Sequence, residues 1–195
     1  MGTSIYADRD LGKFLATGWV VSFDPGLGHP AIAVWDRGTL VRAARVKLPG
    51  ALKKLDRVER GRQISALVAA QALGELPAGE RFIAFLCEHP QWYSERQGKS
   101  KVDPNKLAGM AVIDGAVAAR LDVPTWSYLP GEWCSGMPKS ETGDPWKSPR
   151  GHVIKSRLRP GELEVIEPTH DALDSVGVGM KFLLRLEKNL VGTTR

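Results

Sequence analysis

Three things are scarce in this chain: cysteine, long apolar runs and acid. The 195 residues hold two cysteines, Cys87 and Cys134. That is no disulfide framework, and it points to a reducing, cytoplasmic compartment. No apolar stretch approaches the roughly 20 residues of a membrane span, so no membrane partner is expected. The N-terminus lacks the charged and apolar regions of a signal peptide. Met1-Gly2 opens like a myristoylation site, but Tyr6 stands where Ser or Thr is required. Internal repeats and low-complexity segments are absent. The 22 acids are outnumbered by 27 Lys and Arg, giving a net charge of +5. Such a balance suits a polyanionic partner.

What is present reads as one globular domain over residues 1–195, with 1–16 as a loosely attached lead-in. Hydrophobic content of 43% and charged content of 25% are ordinary for such a domain. The organising stretch is Gly18 to Gly28. Trp19, Val20, Val21 and Phe23 form a near-continuous apolar run, as expected of a central strand covered on both faces. The run ends at Asp24, and Pro25-Gly26 turns the chain. A second run, Phe82 to Cys87, ends the same way at Glu88. If these strands are neighbours, Asp24 and Glu88 share one end of a sheet.

Between them the pattern predicts a second strand over Ala31–Trp35, a hairpin at Asp36-Arg37-Gly38 and a third strand over Leu40–Leu48. Two short turns make these an antiparallel meander. A helix is expected from about Asp56 to Leu73, with Val58, Ile64, Leu67, Val68 and Leu73 as its apolar stripe. A second helix, about Pro104 to Leu121, is rich in small residues, which suits close approach by the sheet or by a second copy of the chain. A fifth strand follows over Pro124–Leu129. Right-handed crossovers make the last two strands parallel. The fold class is therefore α/β, with three antiparallel strands leading into two parallel ones. Pro130–Pro149 reads as a long loop; Trp133 and Trp146 either stack on bases or, the favoured reading, pin it. A helix is expected within Gly151–Leu158, and a last helix from about His170 to Leu190 with Thr169 as its N-cap. Gly177 and Gly179 weaken that helix, which suggests close packing.

Asp171 and Asp174 stand at i and i+3, on one face of the last helix. With Asp24 and Glu88 they make four carboxylates, which repel unless cations relieve them. Oxygen-only ligands favour Mg²⁺ or Mn²⁺. Two such ions can bridge a phosphate and activate a water. Taken singly, each acid has a plain structural reading: Asp24 as a turn residue, Asp171 as a complement to the helix dipole. Basic residues lie in two segments. One holds Arg96, Lys99 and Lys101, with Trp92 and Tyr93 beside them; the other holds Lys139, Lys147, Arg150, Lys155, Arg157 and Arg159. They suit phosphate backbones flanking the acidic site, or a solvated surface.

The strand-ending Asp of FDPG, the strand-ending Glu88 and the closing helix HDALDSVGVGMKF resemble those of the RuvC-like Holliday-junction resolvases, in the RNase H-like superfamily. The resemblance spans about residues 17–187. It implies a five-stranded mixed sheet flanked by helices. It also implies a homodimeric endonuclease that hydrolyses one phosphodiester on each of two opposing strands of a four-way DNA junction, with Mg²⁺ or Mn²⁺ at two ions per site. On that pattern Asp24, Glu88, Asp171 and Asp174 are the catalytic metal ligands. His170, at a helix start where some members use a histidine, contacts the scissile phosphate or is a spectator. Trp92 and Tyr93 stand near the position of an aromatic wedge. Three rivals remain at this stage. One is another RNase H-like nuclease, for flaps or RNA–DNA hybrids. Another is a nucleotide-binding domain of the actin and sugar-kinase type, whose second phosphate loop is not seen here, so no nucleotide cofactor is expected. The third is a catalytically silent DNA-binding protein.

Overall fold

The computed structural model describes residues 17–88, 104–128 and 143–183. Its strands are β1 (Trp19–Asp24), β2 (Ala31–Asp36), β3 (Thr39–Arg45), β4 (Phe82–Glu88) and β5 (Thr125–Tyr128). Its helices are α1 (Arg57–Gly74), α2 (Pro104–Leu121), α3 (Pro149–Lys155) and α4 (His170–Phe182). The sheet order is β3-β2-β1-β4-β5. β1 pairs antiparallel with β2, and β2 with β3; β1 pairs parallel with β4, and β4 with β5. This is the expected five-stranded mixed sheet.

The hairpin between β2 and β3 is tight because Arg37 and Gly38 both take positive φ, 47° and 75°. That geometry matches the twist of the flanking strands. β3 is shorter than its apolar pattern suggested and stops at Arg45. Its outer edge is covered rather than left open. Ala43 bridges to Ile166, and the Glu167 N–H donates to the Ala43 carbonyl at 2.8 Å. Buried Glu162 accepts from the Leu40 N–H at 2.9 Å. An exposed edge would otherwise offer unpaired groups to another strand.

The sheet is sandwiched between two cores. On one face α4 lies across β1 to β4 and buries Leu173, Val176 and Met180 against Val20, Trp35 and Leu86. On the other, α1 and α2 pack together and bury Ile64, Val68, Ile113 and Val117 against Val21, Phe23, Val34 and Phe85. Each large side chain so buried contributes about 1.5–3 kcal/mol.

The helix faces and the long loop differ in part from their sequence patterns. Val58 and Leu73 are not part of the buried face of α1; they are 73% and 48% exposed. The helix turns Gly61, Ile64, Ser65, Val68, Ala69 and Ala72 inward instead, because small residues let α2 approach closely. In α2 the small-residue face is largely outward: Ala108, Ala111, Gly115 and Ala119 are exposed. The part of the predicted long loop that is described is ordered. Asp144 caps a 3-10 turn over Pro145–Lys147, Ser148 caps α3, and Trp146 packs on the α4 core as a pin. Residues 130–142, with Trp133 and Cys134, lie outside the described residues, as do the predicted last turns of the closing helix beyond residue 183.

Gly179 is where α4 needs a glycine. A Cβ there would run into the Trp35 indole. That indole donates from Nε1 to Ser22 Oγ at 2.9 Å, and Ser22 Oγ donates in turn to the Ser175 carbonyl at 2.7 Å. This buried chain of hydrogen bonds ties α4 to β1 and β2 at close range.

Candidate active site

β1 and β4 run side by side in parallel register, with Phe23 opposite Cys87. One residue further along, each strand ends in its acid, Asp24 or Glu88. Adjacent strands lie about 4.8 Å apart, so the two acids share one edge of the sheet. Side chains alternate between faces along a strand. Val20 and Ala84 belong to the α4 core, whereas Phe23 and Cys87 belong to the opposite one. Alternation therefore puts Asp24 and Glu88 on the face that carries α4.

α4 begins where the sequence predicted, with Thr169 Oγ1 accepting from the Ala172 N–H at 3.2 Å. Its acids come to the same edge because the Ser22–Ser175 hydrogen bond joins a position two before Asp24 to one just after Asp174. Asp174 is 3% exposed and Asp171 is half-buried. His170 stands half-buried at the helix start.

Two of the four acids are held by arginines, which the sequence did not suggest. Arg45, at the end of β3, reaches one oxygen of Asp171 with both Nε and Nη2, at 2.7 and 2.6 Å. Arg150, on α3, pairs with Asp174 inside the protein. Arg150 was expected to meet DNA; it is buried instead, 9% exposed, because Asp174 is buried and demands a counter-charge. Among the described residues no three His, Cys, Asp or Glu side chains converge closely enough to hold a metal ion as they stand.

The other predicted DNA-facing residues are dispersed. Lys147 and Lys155 are exposed, and Lys147 lies 3.7 Å from Asp144. Arg157 is half-buried. Arg159 does not flank the acids. Its guanidinium donates to Thr39 Oγ1 at 2.9 Å, at the start of β3. Six residues of strand, about 20 Å, separate that end from Arg45. The segment turns there because Glu162 accepts from the Arg159 N–H at 2.6 Å while holding β3. Trp92, Tyr93, Arg96, Lys99, Lys101 and Lys139 lie outside the described residues.

A fifth acid was missed altogether. Asp114, on α2, is 8% exposed, and neither carboxylate oxygen has a hydrogen-bond partner. Burial, with a smaller push from the negative charge of Glu88, raises its pKa to about 8. Burial and then Asp114 likewise push the Cys87 thiol far above its usual range, so this cysteine is inert at neutral pH. The sequence held one signal for Asp114: it sits between Ile113 and Val117 on the inward face of α2.

These features describe an α/β protein with an RNase H-like fold, whose neighbouring parallel strands β1 and β4 each end in an acid. Among solved structures, the chain is similar to Thermus thermophilus RuvC, both alone and in complex with a Holliday junction substrate. Each match has a TM-score of 0.55 and 19% identity, and covers 87% of this chain and 96% of that one. At that identity the likeness is one of fold: the chain has a RuvC-like fold. No family model matches it, and no curated protein matches its sequence.

Proposed function

We propose that the protein is a divalent-metal-dependent endonuclease that resolves four-way DNA junctions as a homodimer. The observation that carries this reading is the parallel register of β1 and β4, which aligns Asp24 with Glu88 beneath an α4 that carries Asp171 and Asp174. The donor set fits the metal. All four groups are carboxylates, the ligand type that hard Mg²⁺ or Mn²⁺ selects. Arg45 and Arg150 already pair with Asp171 and Asp174, so an ion bound there would share these acids with the arginines.

Asp24, Glu88, Asp171 and Asp174 are the residues that would hold the ions. Bound there, the ions would supply an activated water and charge neutralisation at a phosphate. The chain's own residues do the positioning. The strands β1 and β4 position Asp24 and Glu88, because the backbone leading to each acid is hydrogen-bonded and buried. The Trp35–Ser22–Ser175 chain sets the height of α4 above them. Arg45 and Arg150 orient the helix carboxylates. His170 opens the helix beside Asp171, and its role in this reading is to contact the scissile phosphate.

The test is cleavage of a labelled immobile four-way junction beside a matched linear duplex, with Mg²⁺ and with EDTA, using the wild type and Asp24→Asn. The reading expects paired nicks in the junction, an intact linear duplex, and no cutting with EDTA or the variant. Binding without cutting in either Mg²⁺ or Mn²⁺ would replace it with a silent junction-binding role. The arginine-held acids favour that second reading. Cutting of flaps or hybrids alone would keep the metal site and discard the junction.

A further inference from the structure

A groove of about 420 Å³ opens at the acid end of the sheet, on the β3 side. Its lining includes His29, Arg45, Lys47, Lys53, Arg60 and Glu167. None of these belongs to the basic segments singled out in the sequence. They come from the turn before β2, the end of β3, the 3-10 turn that follows, α1 and the strap before α4, so only folding assembles them.

The charge in the groove is strongly one-sided. Four Lys or Arg side chains and a histidine face one carboxylate, Glu167, and one of its oxygens already accepts from the Arg45 N–H at 2.9 Å. Lys47, Lys53 and His29 are exposed. Arg60 is anchored by Nη2 donating to the Leu27 carbonyl at 2.9 Å, yet its buried Nε has no acceptor. A cleft lined by one sign of charge concentrates ligands of the other sign.

We infer that this groove binds the phosphate backbone of a DNA arm and feeds it to the acid edge; the inference rests on the nuclease reading above. Two observations select a backbone over other anions. First, the described lining contains no Phe, Tyr or Trp. Bases have nothing to stack on, so contact is with phosphate and is independent of sequence. Second, the groove is continuous with the acids. Ala31 pairs with both Asp24 and Arg45, and Arg45 both lines the groove and holds Asp171. A strand whose phosphates follow Lys53, Lys47 and Arg45 arrives at α4 without leaving positive charge.

The test is fluorescence anisotropy of a labelled four-way junction and a linear duplex in EDTA over a range of salt concentrations. The proteins are the wild type, a Lys47→Ala/Lys53→Ala double variant and Lys54→Ala. Lys54 is an exposed neighbour that does not line the groove. Each lost phosphate contact lowers the slope of log affinity against log salt by about 0.9. The double variant should therefore lose about 1.8 from that slope and bind more weakly, while Lys54→Ala keeps the wild-type slope. Thermal melting should be unchanged, because both lysines are exposed. A wild-type slope in the double variant overturns the groove while leaving the nuclease reading standing, and so does an equal loss in Lys54→Ala. A wild-type protein that binds neither DNA overturns both readings.

Discussion

Replacing Asp114 with Asn should stabilise the protein, and the gain should grow with pH. In the folded chain the Asp114 carboxyl has no partner and keeps its proton up to about pH 8; its ordinary value is 3.8. Below pH 4 both folded and unfolded states are protonated and the site is silent. Between pH 4 and 8 the unfolded carboxyl has lost its proton while the folded one still binds it. The unfolded state then binds fewer protons, so stability falls as pH rises. Above pH 8 both are ionised and the loss levels off. Each pH unit in the window is worth about 1.36 kcal/mol, so the cost at pH 7 is at most about 4 kcal/mol. That is a large part of a typical stability of about 5–15 kcal/mol. Asn has nearly the same shape and does not titrate. The assay is urea unfolding of wild type and Asp114→Asn in EDTA at pH 5, 6, 7 and 8. From pH 5 to 7 the variant's advantage should widen by up to about 2.7 kcal/mol, or roughly 1 M in the urea midpoint. An advantage that stays constant across this range would refute the reasoning, because the folded carboxyl would then titrate like the unfolded one.

Two further substitutions probe the α4 face. Gly179→Ala should destabilise by about 2–3 kcal/mol in thermal or urea unfolding, because its Cβ meets the Trp35 ring and must disturb the indole hydrogen bond to Ser22; the better helix propensity of Ala returns at most about 1 kcal/mol. A stability equal to wild type would mean that α4 can lift from β2 at little cost. Arg150→Ala should cost about 3–5 kcal/mol in metal-free buffer, because it removes the guanidinium from a buried ion pair with Asp174. Added Mn²⁺ should restore more stability to this variant than to the wild type, read as the shift in melting temperature. An equal Mn²⁺ shift in both would separate Asp174 from any metal site.

Much of this molecule was legible in local pattern. Apolar runs closed by turn residues marked β1 and β4, and the acids that end them, because a buried strand must surface where its backbone leaves the ladder. Short turns dictated the antiparallel meander. Pro104 to Leu121 was predicted as a helix to its ends, and Thr169 was found as a cap, because capping and periodicity act within a few residues. Pairing across the chain was not legible. Arg45 meets Asp171 across 126 positions, and whether they touch depends on where α4 lands on the sheet. Arg150 and Arg159 read alike as basic surface. Folding buried one against Asp174 and sent the other to the far end of β3, since a buried carboxylate attracts the nearest cation whatever its sequence context. Asp114 carried no local mark of its state, because only the packing of α2 removed its water. The basic groove draws its charges from five separate segments, so only the tertiary structure could bring it into being.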